Sequence, residues 1–117
     1  MHGVHDWNTE LPAFSPNCDP LKRPDVARLA FESSPIAAVA TGRSPVLLIH
    51  GDDDRNVPFA QTELLVDALR GQKVDFEELI FPDEIHDFLL RRDWVRAYNA
   101  SAEFLGRRLN ASAGPQR

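Results

Sequence analysis

Between Ser44 and Phe59, "SPVLLIHGDDDRNVPF", an apolar run without polar alternation stops abruptly at His50, Gly51 and three consecutive carboxylates. The run is β-branched at both ends, opened by Pro45 and closed by Gly51, which predicts a short strand covered on both faces in a parallel sheet. Beyond the acidic stretch, "PFAQTELLVDALRGQ" sets Leu64, Leu65, Ala68 and Leu69 at helical spacing, with Gly71 as its stop. "VDFEELIFP" then predicts a second strand, broken by Pro82, and "DWVRAYNASAEFLGRRL" a second amphipathic helix. That helix carries Val95, Tyr98, Ala102, Leu105 and Leu109 as its apolar face, with Arg107 and Arg108 near its C-terminus.

Upstream the pattern changes. Pro12, Pro16, Pro20 and Pro24 each remove a backbone donor and restrict the preceding residue, so the start of the chain reads as irregular. Pro24 and Asp25 open a short helix, "PDVARLAFE", that stops before Ser33-Ser34-Pro35. Three regions follow: an irregular lead-in with one short helix over 1–35, an α/β unit over 36–109, and a small, polar, fraying tail over 110–117.

Strand, helix, strand, helix is the order of a right-handed βαβ crossover with a further helix, an α/β fold with two parallel strands side by side. A strand as apolar as Val46–Ile49 belongs inside a sheet, yet the chain offers it one neighbour, and a bare flank invites pairing. The unit is therefore expected to be the C-terminal part of a larger sheet. Further sequence, a second copy or another protein would complete it through the bare edge.

Composition narrows the functions. A net charge of −5, from 13 basic and 18 acidic residues, is a poor electrostatic match to nucleic acid. Cys18, the one cysteine, excludes an internal disulfide and any multi-cysteine zinc site. The N-terminus has no basic start followed by an apolar stretch, and no uninterrupted apolar run reaches about 18 residues. No membrane association is expected, and the compartment stays open, with the cytoplasm as the default.

In parallel α/β sheets, functional groups collect in loops at the carboxyl ends of strands. Here one such loop holds Asp52, Asp53 and Asp54, and the next, "DEIHDF", holds His86. Neighbouring strands lie about 4.8 Å apart, so the two loops can bring an acid and a histidine together. An Asp that orients a His is two-thirds of a hydrolytic triad: the carboxylate fixes the tautomer and stabilises the imidazolium formed when the His takes a nucleophile's proton.

These residues also carry a family resemblance. "LLIHGDDDRNVPFAQTELLVDAL" followed by "VDFEELIFPDEIHDF" resembles the end of the catalytic domain of the prolyl-oligopeptidase family of serine peptidases, which has the α/β-hydrolase fold. The resemblance spans about Ser33 to Leu109, and "HGVHDWN" near the start is similar to the segment after the family's preceding core strand. It implies a partial α/β-hydrolase sheet, with Asp54 as the catalytic acid three residues before Val57 and His86 as the catalytic base. It also implies peptide substrates, an acyl-enzyme and no cofactor. Asn56 matches a position that contacts substrate in some relatives. Asp87 departs from the pattern, since many relatives have Gly after the His.

A larger departure concerns the nucleophile. α/β-hydrolases carry it in G-x-S-x-G, ahead of the Asp and His. None of Ser15, Ser33, Ser34, Ser44, Ser101 or Ser112 has glycines at those positions, so the isolated chain is expected to be inactive. The rival from another class is a non-catalytic interaction module, or a relic of an enzyme, that pairs through the bare sheet edge. Other residues have plainer roles: Asp52 and Asp53 in solvent or loop hydrogen bonds, His50 shaping the strand end without reacting, and Trp7, Trp94 and Tyr98 in packing. The three acids are also candidate oxygen ligands for Mg²⁺ or Ca²⁺. His2, His5 and Asp6 have no assured third ligand, and no metal site is expected.

Overall fold

The structure, a computed structural model, describes residues 22–112. Most of the proline-rich lead-in, with His2, His5, Asp6, Trp7 and Cys18, lies outside these residues, as does the end of the tail. Six elements follow in order: α1 (Pro24–Glu32), α2 (Pro35–Ala38), β1 (Val46–Gly51), α3 (Ala60–Gly71), β2 (Phe76–Phe81) and α4 (Arg91–Ser112). Among the described residues, β1 and β2 make a two-stranded parallel sheet, with Val46 opposite Phe76 and Gly51 opposite Phe81. The predicted strand–helix–strand–helix order is the one observed.

Local chemistry accounts for the boundaries. Pro24 occupies the first turn of α1, where its missing N–H costs nothing, and Asp25 accepts from the Arg23 guanidinium at 2.6 and 2.9 Å. The single turn α2, unforeseen from the sequence, begins the same way at Pro35. Gly71 is the last residue of α3, but the left-handed residue that closes the helix is Lys73, with φ 56°. There the Val74 amide donates to the Leu69 carbonyl and the Lys73 amide to Arg70, the two bonds of a Schellman cap. Pro82 ends β2 and leads into Asp83, also left-handed at φ 62°.

The core is small: Val39, Val66, Leu69, Phe81, Ala97 and Phe104 are its buried apolar residues. Two expectations about packing are revised. Val46–His50 is half-buried rather than covered on both faces, because β1 has one strand neighbour among the described residues. The face of α4 that packs inward is Ala97 and Phe104, with Ser101 between them, whereas Val95, Tyr98, Leu105 and Leu109 are exposed by 48–68%. α4 therefore has two apolar stripes, and the one with Ala97 and Phe104 is the one that packs inward.

Candidate active site

Both strands end at the same edge, and the loops that leave them meet there. Gly51 makes the meeting close: a β-carbon built on it would overlap the backbone carbonyl of Glu84, two residues before His86. The Asp53 amide donates to that same carbonyl at 3.1 Å, and the Asp83 amide donates to Oδ1 of Asp52 at 2.7 Å. The loops are thus fastened by backbone as well as by side chains.

The three adjacent acids go to three different places. Asp52 ties the loops together through Asp83; Asp53 faces Arg55 on the surface at 3.4 Å; Asp54 turns inward and is 6% exposed. Among the described residues, no group of three or more His, Cys, Asp or Glu side chains converges as a metal site.

Asp54 accepts four hydrogen bonds. On Oδ1 they come from the amides of Asn56 (2.9 Å) and Val57 (2.8 Å); on Oδ2 they come from Nδ1–H of His86 (2.8 Å) and Nε2–H of His50 (3.0 Å). A carboxylate has about four acceptor sites, so this one is satisfied only when ionised. Burial by itself pushes the carboxyl pKa up. The Val57 amide, then His86, His50 and the Asn56 amide outweigh burial and hold it below the ordinary value.

His86 stands 32 residues from Asp54 in sequence and half-exposed at the rim, with its Nδ1 committed to the acid. That leaves Nε2 as the ring atom with which a nucleophile would exchange its proton. The His86 loop is held by Glu84, a 2%-exposed carboxylate that accepts from the amides of Leu89 (2.6 Å) and Leu90 (3.1 Å) just before α4. Burial raises this carboxyl too, but the Leu89 and Leu90 amides, with the nearby Arg92 charge, bring it below its usual value. Phe88 continues the loop between the rings of Phe81 and Trp94, and Trp94 stacks on Tyr98 at 5.6 Å.

The sequence-predicted Asp54 and His86 are therefore in contact. Asn56 reaches Asp54 with its backbone amide, while the residue itself is exposed. Two groups were given lesser parts or none in the sequence reading. His50, expected to approach without reacting, bonds Asp54 directly; Glu84 carried no signal beyond being an acid near a proline turn. A cleft of about 550 Å³ opens beside the pair at the end of β1, with Ile49, Leu65, Phe88, Trp94 and Tyr98 among its walls.

A buried acid gripping a rim histidine across the carboxyl ends of two parallel strands is an arrangement of α/β-hydrolases, and the comparisons are specific about which ones. The family model described as "Prolyl oligopeptidase family" matches residues 1–112, and the chain belongs to that family of serine peptidases. It is 31% identical over 83 residues to the acylamino-acid-releasing enzyme of Mus musculus, covering 71% of this chain and 11% of that enzyme. With dipeptidyl-peptidase 5 of Porphyromonas endodontalis it shares 37% identity over 75 residues, 62% of this chain and 11% of the relative. Among solved structures, a puromycin-hydrolyzing peptidase of Mycobacterium tuberculosis superposes with a TM-score of 0.67 at 33% identity, over 74% of this chain and 13% of that one. An acylaminoacyl peptidase of Pyrococcus horikoshii gives 0.65 at 26% identity, over 78% and 15%. The 117 residues thus correspond to a small part of the length of each relative. No described helix is long and apolar enough to cross a membrane.

Proposed function

We propose that this chain supplies the acid and the general base of a peptide-hydrolysing Ser-His-Asp triad, with Asp54 as the orienting acid and His86 as the base. The observation that carries the reading is the 2.8 Å bond from Nδ1–H of His86 to a carboxylate buried and saturated by three further donors. The serine comes from outside these residues, which contain no G-x-S-x-G. His86 takes the serine proton as its oxygen attacks the peptide carbonyl, then gives that proton to the departing amine; water, activated by the same imidazole, releases the acyl group. Asp54 stays ionised throughout and stabilises the imidazolium. No cofactor enters this chemistry. Asn56, exposed on the loop of the acid, is assigned to substrate contact.

Among the described residues one flank of β1 is unpaired, and this favours one addition. In this reading it receives the next strand of a larger sheet, and the same edge would let a non-catalytic module pair with a partner. A chimera separates the two. Residues 22–112 replace the matching segment of the Mycobacterium tuberculosis peptidase, whose remainder keeps its own serine. The hydrolase reading expects turnover of a chromogenic aminoacyl amide that falls by about 10⁴-fold or more in His86→Ala, with substrate binding retained. A folded, active chimera indifferent to His86→Ala would sink it. The isolated chain is expected to show no turnover and no active-site labelling by a fluorophosphonate.

A further inference from the structure

His50 enters the site from β1, the strand that also leads to the acid, and its ring is fixed at both nitrogens. Nε2 faces two acceptors, Oδ2 of Asp54 at 3.0 Å and the carbonyl of Val57 at 3.1 Å, so the proton sits on Nε2. Nδ1 lies 2.5 Å from Oγ1 of Thr62 in the first turn of α3, and the threonine hydroxyl donates to it. The ring is 11% exposed and packs against Phe59, with centroids 5.6 Å apart. Val57, Thr62 and Phe59 thus help Asp54 to set the position, tautomer and orientation of the ring.

The consequence follows from the shared oxygen. His50 and His86 both donate to Oδ2 of Asp54, whereas Oδ1 is taken by backbone amides that do not change with protonation. An N–H donor on Oδ2 draws off part of the negative charge that would otherwise stabilise an imidazolium at His86. It also pins the carboxylate plane in the orientation that meets Nδ1 of His86. We propose that His50 is a positioning residue for the Asp–His pair: it locks Asp54 in place and, by sharing Oδ2, makes His86 a weaker base than a lone Asp–His contact would.

This rests on the pairing of Asp54 with His86 argued above. The titratable groups around the pair are Asp54 on the β1–α3 loop, His50 on β1 and Tyr98 on α4, all lining one cleft. On the loop of His86 itself, Asp87 is exposed and Glu84 is turned to the amides of Leu89 and Leu90. Of these, His50 and His86 are the ones bonded to the shared oxygen.

The test is a pH titration of the histidine ring carbons by NMR in the full 117-residue chain, comparing the unchanged protein with His50→Phe, His50→Gln and Asp54→Asn. Phe keeps a ring of similar size without the N–H, and Gln keeps an N–H near the ε position. His50→Phe is expected to raise the His86 midpoint by roughly half a pH unit, the scale of one hydrogen bond. His50→Gln should return it close to the original value. An unmoved His86 midpoint in folded His50→Phe overturns the proposal, because a purely structural histidine would leave it there. If His50→Phe loses its fold, His50→Leu, which also lacks the N–H, decides: a raised midpoint supports the proposal, and an unmoved one overturns it. Asp54→Asn tests the foundation separately, since it should lower the His86 midpoint. Failure there removes the pair itself, whereas a shift there with none in His50→Phe removes His50 alone.

Discussion

The carbonyl oxygen of Glu84 sits where the side chain of residue 51 would begin, so the loop carrying His86 crosses β1 at a point only glycine can occupy. Gly51 does not need an unusual backbone angle, since no glycine among the described residues has a positive φ. It is there for close approach. Backbone on both sides of the contact leaves nothing flexible to give way.

Gly51→Ala is therefore expected to destabilise the chain by at least about 2 kcal/mol, because the two loops must part to admit one methyl group. Urea unfolding followed by tryptophan fluorescence measures the loss. His86 should also separate from Asp54, which a ring-carbon titration of His86 would register. A variant as stable as the parent would mean that the loops slide apart freely.

Asp54 and Glu84 both hold their carboxyls below the ordinary values in the folded chain. Each therefore contributes stability in full above its unfolded pKa, near about 3.9 for Asp and 4.3 for Glu. That contribution disappears as pH falls from there through the lower folded values. Urea midpoints should therefore drop steeply once the pH falls below about 5. Asp54→Asn should flatten part of that drop, because one of the depressed groups is gone; an equally steep fall in the variant would exclude Asp54 as a contributor.

Glu84 fastens the start of α4 by accepting from two amides at once. Glu84→Ala should raise the hydrogen-exchange rates of Leu89 and Leu90 by about tenfold or more, while amides in the middle of α4 change little. Glu84→Gln keeps one acceptor oxygen and is expected to fall between. Uniform acceleration along the whole helix would mean instead that the carboxylate holds up the entire fold.

Lys73 lies outside the site and tests the backbone alone. Its left-handed φ of 56° is a conformation that carries a steric cost for any residue with a β-carbon. Lys73→Gly should raise stability by about 1 kcal/mol at the Schellman cap of α3, measured by urea unfolding. A loss of stability would show that the side chain contributes more there than the strain removes.

Much of this was legible in the sequence where the signal is local. The two strands and the two longer helices follow from apolar runs and punctuation by Gly and Pro; loops that leave the same sheet edge bring an acid and a histidine together, and the family resemblance selects Asp54 among the three acids. Packing was less legible because it depends on what lies opposite. α4 has apolar residues on two stripes, and periodicity alone cannot say which stripe a two-stranded sheet will cover. Lys73 was hidden because the cap is set by hydrogen bonds from two and three residues past Gly71, not by that glycine. His50 and Glu84 were hidden for a related reason: each bonds a group four to six residues further along, across an irregular loop whose path the apolar pattern does not encode.

Among the described residues one flank of β1 has no strand neighbour, and it gives a prediction that depends on the direction of single amides. Val46 and Asp52 both donate their N–H toward β2, to Asp75 and Phe81. In a parallel ladder the direction alternates, so Leu48 and His50 also face β2 while Leu47 and Ile49 face the open side. A bare edge of this kind is expected to make the isolated chain self-associate at tens of micromolar, a behaviour that sedimentation velocity resolves. Leu47→Pro removes a donor from the open side alone and should return the chain to monomers with β1–β2 pairing intact. Leu48→Pro breaks the internal ladder and should cost about 3 kcal/mol or more, enough to unfold so small a core. If both prolines act alike, the edge has no separate existence in solution; if Leu47→Pro leaves the oligomers in place, they assemble through the exposed stripe of α4 rather than through the sheet.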